Sequence, residues 1–184
     1  MSAAVRKTRL FTIGHSDRTL EEFLVLLEKS SVRLVADVRA NPTSARFPWF
    51  ERAALASELE KRGLVYRWFR DLGGRRPPTP GEEEHAALAD EGERRYAAAM
   101  STPEFTAAAA DLLGLAASAV VAILCAEADH RQCHRRLLAD KLHVMGAEVV
   151  HILGLDDSAT HEMHPDLVVE RGRLVYRPRQ LPLI

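Results

Sequence analysis

Five short apolar runs, each followed by a polar cluster, constrain this chain more than any other feature. They cover residues 10–13, 32–36, 64–69, 119–124 and 148–153. Their length and their content of Val, Ile, Leu and aromatic residues fit buried β-strands. Helical patterns separate them. Crossovers of that length permit parallel pairing, so the alternation predicts an α/β fold: a mainly parallel, open sheet of about five strands flanked by helices. Residues 166–177 could add a C-terminal hairpin turning at Arg171-Gly172.

Local signals set the helix limits. Thr19 with Glu22 reads as a capping box opening the first helix, with Leu20, Phe23, Leu24 and Leu27 on one face. A second helix runs from about Phe50 to a stop at Gly63. Helices are expected over 83–100 and over 103–117, the latter capped by Thr102 with Pro103 at its first position. Asp129 with Gln132 reads as another capping box, opening a helix that ends at Gly146. Residues 41–48 and 72–81 are Pro/Gly-rich loops.

Composition narrows the classes. The 184 residues suit one domain able to bury a core, with 47% apolar and 28% charged residues. The net charge of −1 gives no global field to gather nucleic acid or a membrane surface. Arg supplies 21 of the 25 basic residues, a bias that assigns no function. Two cysteines make no disulfide framework. The N-terminus lacks an apolar stretch of signal-peptide length, and the longest apolar run, 115–126, is too short for a bilayer. The expected location is cytoplasmic, with no membrane partner.

The polar clusters fall where ligands bind in α/β sheets, outside the carboxyl ends of the strands. His15 and Ser16 follow the first run, Asp37 and Arg39 the second, Gly73 and Gly74 the third, and Cys125 and Glu127 the fourth. His151 sits within the fifth. The richest segment is 125–135, where Cys125, Glu127, Cys133, His134 and Arg135 crowd one strand-to-helix junction.

In order, Gly14-His15-Ser16, Asp37-Val38-Arg39, Asn41-Pro42, Leu72-Gly73-Gly74-Arg75 and Cys125-x-Glu127 with Cys133-His134-Arg135 resemble the family called domain of unknown function 488. The resemblance covers about residues 9–165. It implies a fold and a site without naming a reaction. Ala45 between Ser44 and Arg46, and His130 after Asp129, depart from the family pattern.

Each candidate has a functional and a structural reading. Asp37 and Glu127, if they share a crevice, could divide acid–base or nucleophilic work, as in glycosidic-bond cleavage. Equally, they could be ion-paired by Arg39 and Arg135. Those arginines could instead clamp an anion. His15 and His134 are candidate proton carriers. Ser16, Gly73 and Gly74 are candidate substrate contacts. Cys125 is an activated thiol or a small core residue, and Cys133 most simply packs. Both cysteines and His134, with His15 or His151, could hold zinc, but the spacing matches no familiar zinc motif, and neither a metal nor a cofactor is assigned. Cys125 to Arg131 has the spacing of an anion loop, yet Glu127 and Asp129 would repel phosphate.

The leading expectation is an enzyme, a hydrolase or transferase. Its catalytic set is Asp37, Glu127, His15, His134 and Cys125; Ser16, Arg39, Arg135, Gly73 and Gly74 bind the substrate. That substrate would be an anionic small molecule or nucleic-acid-like. The alternatives are a non-catalytic anion-binding or interaction module, and a cysteine-based redox or zinc-site protein.

Overall fold

The computed structural model describes residues 8–178. In chain order it contains β1 (Arg9–Gly14), α1 (Leu20–Lys29), β2 (Leu34–Asp37), α2 (Arg52–Lys61), β3 (Val65–Trp68), α3 (Glu91–Ala99), α4 (Pro103–Ala116), β4 (Val121–Cys125), α5 (Arg135–Val144), β5 (Glu148–Ile152), β6 (Ser158–Thr160), β7 (Leu167–Glu170) and β8 (Arg173–Tyr176). The fold is α/β.

The main sheet has the order β3-β2-β4-β1-β5-β6. The five apolar runs form its parallel part. β6 adds a sixth, antiparallel edge strand beside β5. Its sequence, Ser-Ala-Thr, has no apolar periodicity to announce it. β7 and β8 form the expected hairpin through Arg171 and Gly172, both at positive φ.

Both faces of the central strands β2 and β4 are covered, which is why they read as continuous apolar runs, whereas the edge strand β3 alternates exposed and half-buried residues. Side chains alternate between faces with a period of two. On β4, Ala122 and Leu124 pack with Phe23, Leu27, Val35, Leu55 and Leu59, beneath α1 and α2. Val121, Ile123 and Cys125 point the other way, into a core with Tyr96, Phe105, Leu112 and Leu137 from α3, α4 and α5.

This layering creates a switch point. The chain leaves β1 over one face toward β2, and leaves β4 over the other face toward β5. The crevice between the carboxyl ends of β1 and β4 therefore lies where strand order reverses, the usual ligand site in open α/β sheets.

Two helix boundaries differ from expectation. Residues 83–100 do not form one helix: a 3-10 turn at Glu82–His85 ends before a separate α3, capped by Asp90 accepting from the Glu93 N–H at 2.9 Å. Asp129 does not cap α5 either. It accepts from the Arg131 N–H at 2.9 Å and opens a 3-10 turn, while His134 stands at the start of α5. The Thr19–Glu22 capping box is formed in both directions. Among the described residues, no helix is long and apolar enough to cross a membrane.

Candidate functional site

A crevice of about 750 Å³ opens at the switch point. Its lining includes His15 after β1, Arg39 and Asn41 after β2, Gly74 and Arg75 after β3, and Cys125, Glu127, Cys133 and His134 from the β4–α5 junction. The ladder between β1 and β4 continues past both strands: the His15 N–H donates to Cys125 O at 3.0 Å and the Ser16 N–H to Ala126 O at 2.7 Å. Gly14 is required here, because a Cβ would collide with the Glu127 carbonyl.

At the floor, Cys125 Sγ and Cys133 Sγ are 3.2 Å apart. His134 Nδ1 lies 3.7 Å from the first sulfur and 3.6 Å from the second. Cys125 Sγ is also 3.1 Å from Glu127 Oε2. The His134 ring is held from several sides. Its Nε2–H donates to the Val38 carbonyl at 3.2 Å, which leaves the Nδ1 lone pair for the sulfurs. Tyr96 packs at 5.1 Å between centroids. Gly74 lies against the ring so closely that any Cβ would strike it.

The sulfurs share one hydrogen bond, so their ionisations move apart. That bond, with burial, raises the Cys125 pKa well above the usual thiol range. The same bond, helped by His134 and Arg135, lowers that of Cys133 against the effect of burial. The Arg135 N–H, in the first turn of α5, lies 3.5 Å from Cys133 Sγ and adds a helix N-terminal donor.

The other sequence candidates separate into neighbours and supports. His15 lines the crevice; its Nδ1–H donates to Ser16 O at 2.9 Å and its ring stacks on Phe50 at 4.4 Å. Burial lowers its pKa. Ser16 is not in the crevice lining and bonds Asp17 at 3.2 Å. Gly73 packs on Ala40, also outside the lining.

Asp37 is not in the crevice lining. β2 and β4 are neighbours, as a shared-crevice reading requires, but the register sets Asp37 opposite Leu124 rather than Cys125. Its side chain therefore lies with the α1/α2 layer. There Asp37 is fully buried and accepts from Arg39 Nη2 at 2.6 Å, Arg39 Nε at 2.9 Å and Tyr66 Oη at 2.6 Å. The third guanidinium nitrogen, Nη1, donates to Phe50 O at 2.8 Å. For Asp37 and Arg39 the ion-pair reading holds.

Arg135 does not neutralise the Glu127 carboxylate. Buried behind the β4–α5 loop, it donates to the backbone carbonyls of Glu127 and, at 3.2 Å, of Ala128. His151 is excluded as a partner of the thiols. Its Nδ1 accepts from Thr12 Oγ1 at 2.7 Å and its Nε2 faces His161 at 3.1 Å, in a buried chain that ends on Asp140.

The chain matches a family model described as domain of unknown function DUF488 over residues 19–142, which takes in the residues of the floor. The chain belongs to the DUF488 family. No curated protein and no solved structure matches it. In this DUF488 chain the matched region includes both cysteines, Glu127, His134 and Arg135, together with Asp37 and Arg39.

Sequence reasoning weighed Cys133 as a zinc ligand but left it out of the catalytic and substrate-binding sets, because a thiol in an early helical turn reads as packing. The junction was visible in the sequence, a strand ending in one thiol and a helix opening beside another, but the 3.2 Å approach of the two sulfurs was not. Arg75, Asn41 and Gln132 were also missed as lining residues, since exposed loop residues carry no periodicity.

Proposed function

We propose that this DUF488 protein is an enzyme, a hydrolase or group transferase, acting on an anionic substrate in the switch-point crevice. The convergence of Cys125, Cys133, His134 and Glu127 on one floor carries this reading. Glu127 is the acid–base group. Its backbone is clamped by Arg135 from behind and fitted against Gly14, so its carboxylate is presented from a fixed loop. His15, held neutral by burial, is the neighbouring proton carrier.

Anion recognition falls to the crevice rim. Arg75 lines it and, among the described residues, enters none of the ion pairs that occupy Arg39, Arg131 and Arg136. Asn41, Thr43, Ser44 and Gln132 supply neutral hydrogen-bonding groups. The volume is that of a small-molecule site. Nucleotides and other phosphate-bearing compounds are the class to test first. Glycosidic cleavage by paired carboxylates finds no support, because Asp37 lies with the other layer.

The test is a thermal-shift screen against nucleosides, nucleotides, sugar phosphates and short oligonucleotides, in wild type and Arg75→Ala. Binding to the native state raises its apparent stability. The proposal expects a shift with phosphate-bearing compounds that Arg75→Ala loses, and turnover of those compounds by wild type alone. A shift unchanged by Arg75→Ala, without turnover, contradicts it.

One observation favours a second reading. Sulfurs 3.2 Å apart need to close by only about 1.2 Å to reach a disulfide bond length. A dithiol redox centre would then use the same floor. It predicts reversible oxidation of both thiols with little change in fold.

A further inference from the structure

We propose that Cys125 Sγ, Cys133 Sγ and His134 Nδ1 are the three protein ligands of a thiophilic divalent cation of the zinc class, whose fourth position opens to the crevice. The inference rests on the same floor as the enzyme reading and adds what that floor holds.

Three observations carry it. The donor atoms lie within 4.8 Å of one another, and no other group of three His, Cys, Asp or Glu donors among the described residues does so. Their spacing fits. Tetrahedral zinc with ordinary Zn–S and Zn–N bond lengths puts sulfur and nitrogen roughly 3.6 Å apart, against 3.7 and 3.6 Å here. The same geometry asks for sulfurs roughly 3.8 Å apart, so the 3.2 Å pair must open by about half an ångström. Third, the imidazole is already oriented: Nε2–H is spent on the Val38 carbonyl, so Nδ1 is the free ligand atom. An outer hydrogen bond of that kind fixes the tautomer of metal-binding histidines.

Glu127 has a different place. It touches Cys125 at 3.1 Å but is not one of the three clustered donors. Three protein ligands with an open fourth position describe a catalytic zinc site rather than a structural one. Binding the cation releases the thiol protons to solvent. With water in the fourth position, Glu127 would take one of its protons while the water oxygen bonds to the phosphorus of a bound phosphate ester; the P–O bond to the alcohol breaks and that oxygen leaves with the proton handed on by Glu127. The buried ladder and Arg135 hold Glu127 in place without using its carboxylate.

The experiment uses the full chain, reduced and freed of metal by chelation, then titrated with Co²⁺ and separately with Zn²⁺. Cobalt should bind one ion per chain, with a thiolate-to-metal charge-transfer band and the visible bands of a tetrahedral site. Cys133→Ser and His134→Ala should lose those bands, while Glu127→Gln keeps them. Because the chain has only two cysteines, wild type supplies a second readout independent of how the variants fold: Zn²⁺ should protect both from alkylation. No cobalt spectrum, or alkylation unaffected by Zn²⁺, overturns the proposal. Turnover by metal-free protein would remove the metal and leave the enzyme reading standing. Stoichiometric metal with Glu127→Gln still fully active would remove Glu127 and leave the metal.

Discussion

Arg135 grips Glu127 by its backbone carbonyl and leaves its carboxylate free. The same guanidinium reaches Ala128 O at 3.2 Å and Thr12 Oγ1 at 3.5 Å, so one buried cation ties the β4–α5 loop to β1. Replacing it takes the donor from two part-buried carbonyls, which water can partly satisfy, so the cost is below the roughly 1–3 kcal/mol of a fully buried unpaired group. Arg135→Met should therefore lower stability in denaturant melts and loosen Glu127. Arg135→Lys keeps the charge but cannot bridge several carbonyls, so it should recover only part of the loss.

The two carboxylates should respond in opposite ways. Asp37→Asn removes the charge that Arg39 is buried against, and breaking such a pair costs about 3–5 kcal/mol. It should lower the unfolding midpoint sharply while the remaining folded protein keeps its turnover. Glu127→Gln should leave the midpoint near that of wild type. Parallel denaturation curves check this, and equal destabilisation by the two changes would contradict the assignment.

Gly74 has no room for a side chain beside His134. Gly74→Ala should displace the imidazole from the sulfurs and reduce activity well beyond any loss of folded protein. The measurement is specific activity corrected for the folded fraction, with Gly114→Ala as a control, since a Cβ there meets nothing.

Acid should destabilise the fold through its buried histidines. Burial, reinforced by His130, His161 and Arg135, pushes His151 from its ordinary 6.5 down to about 3. Between those values the unfolded chain binds a proton that the folded chain refuses. The stabilising contribution is complete above pH 6.5 and declines as pH falls toward 3, by about 1.4 kcal/mol per pH unit for each proton. His15, His85 and His130 shift in the same direction, each mainly through burial. Stability measured against pH should fall below neutrality with a slope of more than one proton. His151→Asn should reduce that slope by about one proton, and an unchanged slope would contradict the account.

Much of the fold was legible because a strand buried on both faces must be apolar throughout. The central runs therefore announced themselves, while the exposed edge strand β3 was read from its β-prone Val65, Tyr66 and Trp68. β6 did not, since a three-residue polar edge strand is made by its partner β5 and not by its own pattern. The break before α3 was hidden because an acidic run suits a helix start and a 3-10 turn alike. At the site, sequence order located the crevice but could not assign faces. A single register choice, Asp37 opposite Leu124, separated two carboxylates that look equivalent on paper. Val38, whose backbone oxygen orients His134, could not have been found from its side chain.

The most direct test of the central claim is turnover by wild type and Glu127→Gln, side by side, on whichever phosphate-bearing compound stabilises the wild-type protein. The account predicts that wild type turns the compound over, and that Glu127→Gln melts at the wild-type temperature without the compound, shows the same upward shift with it, and does not turn it over. Wild-type rates from Glu127→Gln would contradict it.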